Sequence, residues 1–139
     1  MNKTSLLTIE EIKHKIKALA KKHQSSDTED MDTEWLEIEA NDLIAKFCVA
    51  QKYDVNGFPF KITDKNLDIE EYYNFYEYGS TFEAYSQYVE RLALIKDDVA
   101  DLMWCYTKSF WPEVYEVKAD YLESLEALLD SGTLYEFEL

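Results

Sequence analysis

Apolar residues recur along this chain at the three- and four-residue spacing of helices buried on one side. Thr8 and Glu11 match a capping box, in which each side chain satisfies a free backbone donor of the first turn. They predict a first helix from Thr8 to about His23, with Ile9, Ile12, Ile16, Leu19 and Ala20 as its apolar stripe. A second helix is expected from about Thr33 to Lys52, carried by Leu36, Ala40, Leu43, Ile44 and Phe47. Trp35 and Ile38 fall off that stripe, which predicts cover on two sides. Asn56-Gly57 and Phe58-Pro59-Phe60 then break the pattern and suit a small β-hairpin near residues 53–63. A short helix from Asp68 to Tyr78 is expected to stop at Gly79.

Ser80 and Glu83 form a second candidate capping box. Helical spacing then persists through Phe82, Tyr85, Val89, Leu92, Ile95, Val99, Leu102, Met103, Tyr106 and Phe110. Lys96 falls on the same stripe, so either it snorkels or the helix breaks near Asp97, which would cap a second piece. Pro112 suits the start of a last helix that runs to Asp130 and stops at Gly132. The alternation from Leu134 to Glu138 fits an edge strand or a docked tail. The expected fold is mainly α: a compact bundle of four to five helices, with the small hairpin and a C-terminal edge strand.

A length of 139 residues fits one domain: a basic amphipathic helix over 1–23, a linker over 24–32 and an acidic body over 33–139. The 47% apolar content, with 11 Tyr, 7 Phe and 3 Trp, argues against a disordered acidic tail. Only 3 Gly and 2 Pro leave little room for the turns of a β-sandwich.

Charge changes the picture most. The net charge is −15, yet residues 1–23 hold six Lys and two Glu and sum to +4. Such acidity repels nucleic acid and anionic membrane, so a basic protein surface or a cation is the favoured partner. The basic first helix either lies on the acidic body or binds something separate. Met1 to Leu7 lacks the apolar run of an export signal, and no segment approaches ~20 apolar residues. Cys48 and Cys105 form no CxxC pair. These features fit a cytoplasmic protein with reduced thiols, though a single disulfide stays open.

On the expected last helix, Glu113, Glu116, Asp120, Glu123, Glu126 and Asp130 follow one another three or four residues apart, opposite the apolar side. The preceding helix repeats the theme with Glu83, Glu90, Asp97 and Asp101. Each such like-charge pair destabilises a helix by ~0.2–0.5 kcal/mol. Either these are solvated faces, or they serve a partner that holds phosphates. Duplex DNA carries one charge per ~1.7 Å of axis, and a ridge of carboxylates offers such a partner comparable charge. Tyr72, Tyr73 and Tyr76 crowd one short segment with Phe75 and Tyr78, as interface anchors or as two-sided cover of the core.

Chemistry-bearing motifs are sparse. Glu11 and His14 match the Glu-x-x-His of di-iron bundles, which need the motif twice, but Ala20 stands three residues before His23. Both histidines sit on the basic helix, which disfavours a triad or a zinc site. The acids from Asp27 to Glu34 lack the glycine of a calcium loop. Cys48 has no nearby base and is expected to be buried. No cofactor, no metal and no catalysis are expected.

In composition the chain resembles small acidic inhibitor proteins. These are phage-type nucleic-acid mimics that block restriction or CRISPR enzymes, and immunity proteins that neutralise nuclease toxins. The resemblance implies a protein that blocks a basic nucleic-acid-acting partner, as a DNA or RNA mimic or, alternatively, by toxin neutralisation. A non-catalytic subunit of a larger assembly is a further alternative.

Overall fold

A computed structural model describes residues 7–25, 31–55, 62–63 and 79–130, with side chains of 25, 31–35, 79–84 and 129–130 excepted. Five helices are described: α1 (Ile9–Ser25), α2 (Met31–Ala50), α3 (Gly79–Ala93), α4 (Asp97–Phe110) and α5 (Lys118–Asp130). No strand occurs among the described residues. The expected hairpin turn, the helix over 68–78 with Tyr72, Tyr73 and Tyr76, and the C-terminal strand lie outside them.

The start of α1 follows from its capping box. Thr8 N–H donates to Glu11 Oε1 at 2.8 Å, and Glu11 N–H donates to Thr8 Oγ1 at 3.1 Å. The apolar stripe then carries Ile12 and Ile16 into the core. Helix α1 packs mainly on α4 and α2. Both neighbouring helices reach into the expected linker, since α1 runs through Ser25 and α2 begins at Met31.

While α4 touches all four other described helices, helix α2 contacts α1, α3 and α4. Ile38, Ala40, Ile44, Ala45, Phe47 and Cys48 are buried around much of its circumference, as the off-stripe residues predict. It ends in a Schellman motif: Tyr53 N–H reaches Cys48 O at 3.0 Å and Lys52 N–H reaches Val49 O at 2.9 Å. Lys52 takes the left-handed position that usually belongs to glycine, at φ 63°.

The long helical stretch breaks, as Lys96 on its stripe suggested. Turn residues separate α3 from α4, and Lys96 caps α4 without a side-chain bond. Asp97 therefore starts the second piece but does not cap it. Tyr53 OH donates to Asp98 Oδ2 at 2.7 Å, and Tyr88 OH donates to Tyr53 O at 2.9 Å. These two bonds tie the exit of α2 to α3 and to the first turn of α4. Gly79 and Ser80 are helical, so Gly79 does not stop a helix there and Ser80 is not in a cap position.

The largest fully buried side chains are Ile12, Ile16, Ile44, Cys48, Val89, Leu92, Val99 and Leu102. Helices α1 to α4 supply two each and α5 supplies none, so α5 is an outer element on a four-helix core. Its anchors are Tyr121 and Leu125, the α5 residues that enter the core cluster.

Helix α5 also starts later than Pro112 predicts. Residues 112–114 form a turn, and the helix begins at Lys118. The Lys108 ammonium explains this. It donates to Pro112 O at 2.8 Å and to Tyr115 O at 3.0 Å, carbonyls that a helix starting at Pro112 would use for its own ladder. Val114 and Val117, with poor helix propensity, offer little resistance.

Candidate partner-binding surface

The late start of α5 divides the expected ridge. Only Asp120, Glu123, Glu126 and Asp130 lie on the helix; Glu113 and Glu116 fall in the turn and bend before it. The helical part spans ~15 Å of axis instead of ~25 Å. Glu113, Glu116, Asp120, Glu123 and Glu126 are all exposed, and Asp130 is described by its backbone alone.

Lys118 is the only base in this stretch, and it faces inward. Its Nζ lies 2.8 Å from Asp101 Oδ1, while Lys13 Nζ of α1 lies 3.5 Å from Asp101 Oδ2. One carboxylate thus joins α5 and α1 across α4. The bond from Lys118 holds the Asp101 carboxyl below the usual aspartate range, against a smaller opposing effect of burial. Asp101, expected on the outer acidic face, is half-exposed and held by two lysines of the chain itself.

The break before α4 likewise separates the other expected acids. Glu83 and Glu90 sit on α3, Asp97 and Asp101 on α4, and they form no single helical sector. Glu90 is half-buried and accepts from Ser86 Oγ at 3.3 Å, whereas Asp97 is exposed. The side chain of Glu83 is outside the described residues.

The basic helix rests on the body through its apolar stripe. Lys15, Lys17, Lys21 and Lys22 are exposed, while Lys13 reaches Asp101. His23 lies against Phe110 and Trp111, at ring-centroid distances of 5.0 and 6.2 Å, with Nε2 3.3 Å from Glu37 Oε2. His14 is exposed. Among the described residues, no group of three His, Cys, Asp or Glu is placed to hold a metal.

Both thiols are free. Cys48 is fully buried, and burial first, then the nearby Asp98 charge, push its thiol far above the usual range. Cys105 is half-buried on α4, and burial raises its thiol as well.

A cleft of about 480 Å³ opens between α2, α3, α4 and α5, which sequence spacing gave no sign of. Glu37, Asn41, Ser86 and Glu90 form its polar wall. Tyr106, Trp111, Tyr115 and Tyr121 form an aromatic wall, with the Tyr106–Trp111 and Tyr115–Tyr121 ring centroids 5.3 and 5.5 Å apart. Burial pushes the Tyr106 and Tyr121 hydroxyls well above the usual tyrosine range, so both stay neutral. Tyr106 shares a side-chain hydrogen bond with Asn41, and Tyr121 shares one with Thr107.

No family model matches the chain, and neither a curated protein nor a solved structure is significantly similar to it. No described helix is long and apolar enough to cross a membrane.

Proposed function

We propose that this chain is an acidic inhibitor that binds and blocks a basic nucleic-acid-acting protein, and does so by occupation of its groove and not by catalysis. The surface it offers is α5 with the turn before it. The supporting observation is the run of exposed carboxylates from Glu113 to Glu126, whose only base, Lys118, is bonded to Asp101. Like charges at helical neighbours cost stability. A stretch that keeps them and turns its lysine away gains from a cation that comes from outside. Such a surface suits competition with phosphates for a cytoplasmic nucleic-acid-handling enzyme of the restriction or CRISPR kind.

Val114 and Val117 stand 60% and 50% exposed among these carboxylates. Apolar contact area between charges suits a protein partner better than a loose counterion cloud. The same two valines favour the immunity reading as the second choice, since desolvated anchors make a toxin complex resist salt.

The test is capture of partners from a bacterial lysate on the intact protein and on a D120K/E123K/E126K variant. Mimicry predicts a nucleic-acid-binding protein that wild type retains, that salt or added DNA releases, and that the variant fails to hold. A complex that survives high salt and ignores DNA moves the reading to immunity. Equal retention by both proteins removes α5 from the account.

A further inference from the structure

Asn41 is 2% exposed, and its Oδ1 has no hydrogen-bond partner among the described residues. A buried polar atom without a partner costs folding free energy and is rare in native proteins. Asn41 is one of the residues that line the 480 Å³ cleft, and its side chain also bonds to Tyr106.

The cleft's other groups define what would satisfy it. Glu37 and Glu90 bring carboxylates to the cleft, and each has partners of its own, His23 among those of Glu37 and Ser86 among those of Glu90. Tyrosine and tryptophan rings present electron-rich faces. Among the described residues, no lysine or arginine lines the cleft. A ligand must therefore supply N–H donors and positive charge, together with a flat apolar surface for the rings.

We propose that this cleft is a binding site for an alkylguanidinium group, the chemistry of an arginine side chain, with Asn41 Oδ1 as an acceptor and the rings of Trp111 and Tyr115 as stacking surfaces. A guanidinium is planar, carries five donors in a fixed fork and stacks on aromatic faces, whereas an ammonium is compact and strongly hydrated. The inference does not need the inhibitor reading, because it concerns a site on α2 to α5 that a small probe can test alone.

The test titrates the full chain with N-acetyl-arginine methylamide, followed by tryptophan fluorescence and by the Asn41 side-chain amide signals in NMR. N-acetyl-lysine methylamide and N-acetyl-norleucine methylamide are the comparison probes. The expected result is saturable binding of the arginine probe, at least ~10-fold weaker binding of lysine, and none of norleucine. Asn41→Leu should weaken arginine binding at least ~10-fold while helix content holds and Tm stays near that of wild type, since relief of the unpartnered oxygen offsets the lost bond to Tyr106. Glu90→Gln, at a half-buried position, is the second variant should Asn41→Leu fail to fold, and it should weaken the arginine probe by several-fold. An arginine-containing peptide that binds more tightly than the capped residue assigns the guanidinium to a protein partner; equal affinity assigns it to a free small molecule. Absence of saturable binding, equal response to norleucine, or full binding by a folded Asn41→Leu protein overturns the proposal.

Discussion

Helices α1 and α5 are both amphipathic surface helices, and their outer faces carry opposite charge. Their anchors differ more than their charges do. Helix α1 sends Ile12 and Ile16 into the core, at 1% and 0% exposure, and packs on two helices. Helix α5 holds on by Tyr121 and Leu125, leaves Leu128 half exposed, and supplies none of the largest fully buried side chains. Burial of apolar area, not attraction between the basic and acidic segments, therefore decides which helix belongs to the body. The lightly attached helix is the one on which the proposed inhibitor surface rests.

The largest expected effect separates the two anchors. Ile16→Ala should cost ~3–5 kcal/mol and lower the single cooperative unfolding transition, as a cavity at the centre of four helices would. Leu125→Ala borders the cleft, where neighbours can relax, and should cost nearer ~2 kcal/mol. Hydrogen exchange would then speed up in α5 and leave α1 protected. Equal losses, or exchange that speeds up over the whole chain, would erase the distinction.

A smaller effect sharpens the local side of α1. Thr8→Ala removes one half of the capping box and should cost ~1 kcal/mol in chemical denaturation. The loss should appear in α1 amides first.

Among the described residues, Asp101 is the carboxylate shared by the two helices, and pH reads its contribution. Its folded pKa lies below the unfolded value of ~3.9. The stability it contributes is thus full above that value and is lost as pH falls through the folded pKa. The side chain is 48% exposed, so solvent screening holds the contribution to ~0.5–1 kcal/mol. Asp101→Asn should be less stable than wild type by that amount at pH 7, with the gap closing below about pH 4. A gap that widens in acid would reverse the assignment.

The smallest effect on stability belongs to the α5 carboxylates. Glu123→Lys should change it by no more than ~0.5 kcal/mol, and in the stabilising direction, since it relieves like-charge neighbours at Asp120 and Glu126.

The same two helices show what a sequence can carry. All that starts α1 lies within a few residues, in Thr8, Glu11 and the isoleucine stripe, and each acts as read. The interruption between α3 and α4 was legible as one of two options because Lys96 fell where an apolar residue belonged. The start of α5 was not legible. It is set by Lys108, on the helix before, whose ammonium takes the carbonyls of Pro112 and Tyr115. Side-chain capture of backbone carbonyls leaves no periodic trace. For the same reason Glu113 and Glu116 left the helix, and Asp101 became a link between helices through Lys118 and Lys13. Asp120, Glu123 and Glu126 kept their exposed helical spacing because helix geometry alone places them. The cleft was invisible because four elements build it, and Asn41 reads in sequence like any polar helix residue.

The most direct test of the account reverses charge on each helix in turn and measures partner capture at low salt: D120K/E123K/E126K on α5 against K15E/K17E/K21E on α1. Inhibition through α5 predicts that the α5 variant loses a nucleic-acid-binding partner that added DNA also displaces, while the α1 variant retains it. Loss on α1 with retention on α5 would contradict it.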